Sequence, residues 1–136
     1  MEAATHTVAE RVFTLPSTAA SVPRARELAR RVAAPFMQPE QHANLDLALT
    51  EVVSNAVRHS GSSHEVVLKL TPKADYLCVR VTDGGHGLIP SPGAMTTEPG
   101  AGYGLFLVEQ LTRRWGMTRE DGKTRVWFEI DFATAA

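Results

Sequence analysis

The sequence lacks the features that mark disulfide-rich, membrane-spanning or nucleic-acid-binding proteins. Its single cysteine, Cys78, lies in an apolar run and cannot form an internal disulfide, so we expect a small core residue in a reducing compartment. No window approaches the ~18 continuous apolar residues of a membrane span, and residues 1–7 have no apolar core of a signal peptide. A formal net charge of -1 argues against a dedicated nucleic-acid binder. We therefore expect a soluble, cytoplasmic protein without direct contact to membrane or nucleic acid.

What is present is the composition of one globular domain. The chain has 136 residues, of which 43% are hydrophobic and 21% charged, and a chain of this length buries about two-thirds of its unfolded surface. We predict a single domain over 1–136 with its core at 7–132. Hydrophobic periodicity and turn residues predict strands at 7–15, 65–71, 76–82, 117–120 and 124–132, and helices at about 21–34, 41–59 and 102–115. The last two strands form a hairpin about Asp121-Gly122.

The first predicted helix has a basic face. Ser17 or Ser21 is expected to cap it, and Pro23 suits its first turn, where a missing amide hydrogen costs little. The basic side chains are Arg24, Arg26, Arg30 and Arg31. This face is either simply solvated or a surface for a partner protein.

The second predicted helix carries an acid and an amide beside an apolar stripe. The stripe consists of Leu45, Leu49, Val52, Val53 and Ala56. Glu51 and Asn55 are four residues apart, so they lie one turn above the other along its flank. In a cleft, Glu51 could deprotonate an attacking hydroxyl and Asn55 could offer an oxygen to magnesium. The alternative is an ordinary solvated pair.

A glycine-bearing segment follows the buried strand that ends near Asp83. A carboxylate at a strand end can accept a hydrogen bond from the exocyclic amine of adenine, and guanine carries an oxygen at that ring position. Gly84, Gly85 and Gly87 allow the backbone to approach a flat ring or a phosphate. The alternative is a simple turn. The loop at 84–101 is long for a compact domain, which is typical of functional loops.

A second glycine run, Gly100-Ala101-Gly102-Tyr103-Gly104, opens the third predicted helix. Free amide hydrogens and the helix dipole favour phosphate at a helix start, and glycines remove side chains from the approach. Neither a Walker A loop nor a Rossmann fingerprint fits, because no Gly-Lys-Ser/Thr follows and no strand directly precedes. A glycine hinge without a ligand is the alternative.

Together these segments resemble the nucleotide-binding boxes of the GHKL ATPase/kinase superfamily, which includes DNA gyrase, sensor histidine kinases and anti-sigma-factor serine kinases. The matching stretches are Leu-Ala-Leu-Thr-Glu-Val-Val-Ser-Asn-Ala-Val-Arg-His at 47–59, Val-Thr-Asp-Gly-Gly-His-Gly at 81–87 and Gly-Ala-Gly-Tyr-Gly-Leu-Phe-Leu-Val at 100–108. The length and the ending at 115–128 look most like stand-alone anti-sigma-factor kinases of actinobacterial type. The implied fold is an α/β two-layer sandwich of the Bergerat type, with a mixed, mostly antiparallel sheet and helices on one face.

The resemblance also implies roles for individual residues. Glu51 matches the general base, Asn55 the magnesium ligand and Asp83 the adenine-binding aspartate. The remaining nucleotide-binding positions are Gly85, Gly87, Gly102, Gly104, Leu105 and, as a looser match, Thr124. The segment at 84–101 matches the ATP lid. It has no lysine or arginine, so the phosphates are left to backbone amides, to magnesium, or to Arg58 near Asn55.

The implied function is a serine/threonine protein kinase that uses ATP and magnesium. Its substrate would be a serine of an anti-anti-sigma-like partner, and it would control a sigma factor by binding it. Homodimers are common among such kinases. A sensor histidine kinase would need a dimerisation helix and a gyrase-like ATPase a transducer domain, for which this chain offers no room. The main alternative is a non-catalytic ATP-binding anti-sigma or adaptor module that acts only by protein–protein interaction.

Overall fold

The computed structural model describes residues 10–60, 64–83, 103–120 and 122–133. These ranges contain five strands and three helices in the order β-α-α-β-β-α-β-β. The elements are β1 Arg11–Pro16, α1 Ser21–Ala33, α2 Pro39–Ser60, β2 Glu65–Pro72, β3 Tyr76–Asp83, α3 Tyr103–Leu111, β4 Arg114–Glu120 and β5 Lys123–Asp131. None of these helices is long and apolar enough to cross a membrane.

The strands form one sheet in the order β1-β2-β3-β5-β4, and all four pairings are antiparallel. Side chains alternate between the two faces of each strand, and in β2 and β3 every second residue is buried. The helices pack on that buried face, because α1 and α2 contact β2 and α2 also contacts β3 and β5. The structure confirms the two-layer α/β sandwich, with a sheet that is antiparallel at every described pairing.

Helix α2 lies at the centre of the core. The five residues of its predicted apolar stripe are all buried, and four of them are 1% exposed or less. It contacts α1 on one side and α3 on the other, as well as three strands. Full burial of a Leu or Val side chain contributes about 1.5–3 kcal/mol, so the stripe fixes the face on which α2 docks. The polar flank with Glu51 and Asn55 is thereby held at the edge of the core.

The third helix is shorter than its predicted span of 102–115. It ends at Leu111, and β4 begins at Arg114 instead of the predicted residue 117. The Arg113 amide donates to the Glu129 carbonyl of β5 at 2.8 Å, and Arg114 and Trp115 then pair with Glu129 and Phe128. Because residues 113–115 pair with β5, they do not extend the helix. Trp115 therefore lies in a strand instead of at a helix end.

The prediction that Ser17 or Ser21 caps α1 is wrong. Ala20 occupies the cap position with no side-chain hydrogen bond. The Ser21 hydroxyl instead donates to the Pro16 carbonyl at 2.5 Å, and the Ser17 hydroxyl donates to the Val57 carbonyl at 3.4 Å. Both serines therefore hold the end of β1 against the helices.

The predicted hairpin between the last two strands is confirmed at Gly122, whose φ of 76° is in the left-handed region that favours glycine. Asp121, the other turn residue, lies outside the described residues. So does the predicted lid at 84–101, together with the first residues of the predicted strand at 7–15.

Candidate nucleotide site

A small cavity lies between α2, α3 and the ends of the central strands. Its lining consists of Val52, Asn55, Ala56, Val81, Asp83, Leu105, Met117, Thr124 and Val126. Its volume is about 20 Å³, which is room for about one water molecule. The structure thus brings together four predicted site residues from four elements: Asn55, Asp83, Leu105 and Thr124.

Two polar residues lie side by side in the lining of this cavity. Asp83 is the last residue of β3, and its Cα partner on β5 is Thr124. The register puts both side chains on the helix-covered face, where Asp83 is 4% and Thr124 7% exposed. A carboxylate and a hydroxyl are thus held side by side in a buried position, where polar groups are retained only with hydrogen-bond partners.

The Thr124 hydroxyl lacks such a partner. Its Oγ1 atom is fully buried and makes no hydrogen bond with the residues that the structure describes. A buried polar group left unsatisfied costs about 1–3 kcal/mol. The arrangement suits a ligand or bound water that would complete the hydrogen bonding of Thr124 beside the Asp83 carboxylate.

Asn55 enters the cavity from α2 and is contacted by a cation. Its Oδ1 atom accepts a short hydrogen bond from Nη2 of Arg58, three residues further along the helix. Arg58 is exposed. The structure therefore places a guanidinium at the amide oxygen that was predicted to bind magnesium.

Glu51 does not line the described cavity. It lies one turn before Asn55 on α2, is half-buried and forms no hydrogen bond or ion pair with the residues that the structure describes. Its carboxylate is consequently free to receive a hydrogen bond from a partner at the flank of α2.

Of the four glycines predicted to bind the nucleotide, one lies among the residues that the structure describes. Gly85, Gly87 and Gly102 lie outside the described residues, whereas Gly104 is the second residue of α3. Leu105, the next residue, is 2% exposed and lines the cavity. The first turn of α3, whose amide hydrogens have no acceptor within the helix itself, is therefore adjacent to the site.

The apolar wall of the cavity was missed by the sequence analysis. Val81 and Val126 are Cα partners on adjacent strands, and Val126 in turn pairs with Met117 of β4. The alternation of side chains along a strand indicated that the valines share a face with the site residues. Val81 lies two residues before Asp83, and Val126 lies two residues after Thr124. No sequence signal marked Met117. An apolar wall with a polar floor suits a flat heteroaromatic ring.

The described residues can supply only part of the coordination shell of a magnesium ion. They contain no group of three or more His, Cys, Asp or Glu side chains that could hold a metal ion. Magnesium commonly binds one or two protein oxygens and completes its shell with water and phosphate oxygens. The Asn55 amide oxygen at the cavity edge is compatible with that kind of site.

The sequence profile of the histidine kinase-like ATPase domain matches residues 15–130. The chain therefore belongs to the histidine kinase-like ATPase domain family, as its GHKL-type boxes predicted. No curated protein matches the chain.

Solved structures share the fold. The chain superposes on the crystal structure of the RsbU and RsbW domains of a Mycobacterium tuberculosis protein with a TM-score of 0.69 and 20% identity, covering 95% of this chain and 34% of that one. A blue-light activated histidine kinase domain from Erythrobacter litoralis gives 0.57 and 21%, covering 86% and 61%. The Acinetobacter baumannii histidine kinase AdeS gives 0.51 and 15%, covering 92% and 69%. The chain thus spans less than two-thirds of the first two structures.

Proposed function

We propose that this domain binds ATP with magnesium and transfers the γ-phosphoryl group to a serine of a small anti-anti-sigma-like partner. This activity takes place in the cytoplasm, and the domain also controls a sigma factor by binding it. The observation that carries the nucleotide part is the cavity with an apolar wall, in which buried Asp83 faces the unsatisfied Thr124 hydroxyl. Support for the protein-kinase part comes from Glu51 and from the fold shared with a structure that contains an RsbW domain.

Adenine is the base that this polar pair accepts. The Asp83 carboxylate receives a hydrogen bond from the exocyclic amine, and Thr124 Oγ1 completes the contact to the ring directly or through one water molecule. Guanine would present a carbonyl oxygen to the carboxylate. Two acceptors cannot share a hydrogen bond, so the site discriminates against guanine.

The phosphates extend from this cavity towards Asn55 and the start of α3. The Asn55 oxygen is the magnesium ligand, and magnesium, when bound, neutralises phosphate charge and orients the γ-phosphoryl group. Amide hydrogens in the first turn of α3 contact phosphate oxygens, with Gly104 leaving space for their approach. Arg58, released from Asn55, supplies the positive charge that the glycine segments lack.

Phosphoryl transfer uses Glu51 as the general base. Its carboxylate accepts the proton of the partner's serine hydroxyl as the serine oxygen bonds to the γ-phosphorus. The bond between that phosphorus and the β–γ bridging oxygen breaks, and ADP leaves. Such transfer depends mainly on positioning and electrostatic stabilisation, which agrees with a base located outside the adenine cavity.

The kinase proposal is tested with γ-labelled ATP and candidate serine-bearing partner proteins. Glu51→Gln keeps the shape of the side chain and removes the base, so we expect ATP binding to persist while label transfer falls by about 10²- to 10⁴-fold. Glu40→Gln, an exposed acid in the first turn of the same helix, is the matched control and should transfer normally. Full transfer by Glu51→Gln would refute the assigned role.

One observation favours the non-catalytic alternative. Glu51 lies outside the lining of the cavity, so nucleotide binding does not by itself require it. A module that only binds ATP and shapes an interface would form stable partner complexes without any label transfer by the unaltered protein. The same assay therefore separates the two functions.

A further inference from the structure

The face of the sheet opposite the helices carries a second, basic pocket. This pocket has a volume of about 150 Å³ and is lined by Glu10, Lys69, Thr71, Lys73, Cys78 and Arg80. It lies on the other side of β2 and β3 from the nucleotide cavity, because its strand residues alternate with the buried ones. The nucleotide site therefore does not account for it.

The charges of this basic pocket do not balance. Three cations and one carboxylate line it, which gives a net charge of +2. Glu10 lies 3.5 Å from the Lys69 ammonium group, leaving Lys73 and Arg80 without an ion pair among the described residues. Glu129, the neighbour of Cys78 on β5, accepts hydrogen bonds from Nε and Nη2 of Arg114 at 3.1 and 3.0 Å. It is therefore not available to neutralise Arg80.

The position of Arg80 in the sheet is energetically unfavourable. Its Cα partner on β2 is Lys69, and like charges directly opposite each other destabilise a sheet. Its Nε atom is also fully buried and has no hydrogen-bond partner among the residues that the structure describes. A bound anion would offset this cost, because it would accept hydrogen bonds from the guanidinium and screen the two cations from each other.

We propose that this basic pocket binds a phosphate-type dianion, with Arg80, Lys69 and Lys73 as its cationic contacts and the Thr71 hydroxyl as a neutral donor. The net charge of the lining matches a dianion better than a single carboxylate. The volume admits a tetrahedral oxyanion together with water. The anion is either free phosphate or the phosphoryl group of a small phosphomonoester.

Cys78 provides a local reporter, since it is the only cysteine of the chain and lines this pocket. Burial raises the pKa of its thiol, and Glu129 adds to this effect. The thiol is therefore protonated at neutral pH and reacts slowly with alkylating reagents. A bound dianion would both cover it and disfavour its thiolate further.

The test measures the alkylation rate of Cys78 by uncharged iodoacetamide at mildly alkaline pH without nucleotide. Inorganic phosphate and phosphoserine are titrated in separate arms at ionic strength held constant with chloride. We expect saturable slowing by phosphate, and slowing by phosphoserine as well if the pocket accepts a monoester. Arg80→Gln should weaken the apparent affinity about tenfold or more, as expected for a lost charged hydrogen bond.

Matched variants separate the pocket from general charge effects. Lys69→Gln should reduce protection, whereas Lys123→Gln, the same change at the exposed hairpin, should not. Circular dichroism checks that each variant is folded. Equal rates with phosphate and with chloride, or full protection in both Arg80→Gln and Lys69→Gln, would overturn the proposal. Neither result bears on ATP binding, since the reporter lies on the opposite face of the sheet.

Discussion

The Thr124 hydroxyl has an unfavourable environment in the ligand-free fold, and its position suits a hydrogen bond to a ligand. Its hydroxyl is buried without a partner in the part of the chain that the structure describes, and its strand neighbour is the Asp83 carboxylate. Most buried polar atoms in folded proteins are paired. The exception at this position lies in the cavity that also holds Asn55, which connects a local energetic cost with the proposed binding of adenine.

Thr124→Val tests this connection. Valine has nearly the same shape and no hydroxyl, so the ligand-free protein should keep or gain stability, by up to about 1 kcal/mol, because an unsatisfied group is removed. ATP affinity should fall by about tenfold, as expected for one lost hydrogen bond. Urea unfolding and nucleotide titration measure the two effects.

Thr118→Val on β4 is the control, because Thr118 is exposed and lies outside the cavity. It should leave ATP affinity unchanged. Lower stability of Thr124→Val together with unchanged ATP affinity would indicate that the hydroxyl has a structural role only.

At the scale of elements, α2 was the part most fully specified by sequence. Its apolar stripe predicted both the buried face and the position of Asn55 on its flank, because helical period and burial are local consequences of the residue order. Asp83 and Thr124 were identified at strand ends through their motifs. Their direct pairing was not predictable, since register depends on how β3 meets β5 across the sheet.

The boundary between α3 and β4 shows why the remaining structure could not be predicted. Residues 112–115 have an acceptable helical pattern, and only the contact of Arg113 with the Glu129 carbonyl of β5 places them beside the sheet. Met117 reaches the cavity for the same reason. Contacts between residues distant in the chain overrode local preference in both cases.

Gly116 is fixed by the packing of β4 on β5. It is the strand partner of Trp127, and a Cβ atom at this position would lie 2.6 Å from three atoms of the indole. Gly116→Ala should therefore shift Trp127 and destabilise the protein by about 1–3 kcal/mol, the usual cost of overpacking. The free energy of unfolding in urea measures this change.

Thr118→Ala serves as the comparison, because Thr118 lies two residues further along β4 and is exposed. We expect it to change the free energy of unfolding by no more than about 0.5 kcal/mol. An equal loss of stability in both variants would mean that the edge strand tolerates substitutions poorly in general, and the indole contact would not be the cause.

At the scale of the whole molecule, the sheet separates two environments. Its buried face and the helices enclose the cavity proposed to bind adenine, whereas its other face presents the basic pocket. The cavity has room for about one water molecule, so an adenine ring enters only if lining side chains such as Met117 and Leu105 move. Nucleotide binding should therefore rearrange the contacts between α3 and its neighbours.

ATP with magnesium should stabilise the domain against heat more than GTP does. At a ligand concentration of about 100 times Kd, binding adds about 2.7 kcal/mol, which corresponds to a rise in Tm of roughly 10 °C for a domain of this size. GTP should give a much smaller shift, because guanine presents an acceptor oxygen to the Asp83 carboxylate and so cannot form the contact proposed for adenine. Differential scanning calorimetry at matched concentrations measures both, and equal shifts would contradict the assignment of these residues to base recognition.

The placement of the aromatic residues has a practical consequence for spectroscopy. The chain has two tryptophans, and both Trp115 and Trp127 lie on the β4–β5 hairpin at one edge of the sheet. Intrinsic emission therefore monitors that hairpin, whereas far-ultraviolet ellipticity is dominated by helices at the centre of the fold. Coincident transitions would mean that the edge melts with the rest as one cooperative unit, and an earlier fluorescence change would mean that the hairpin opens first.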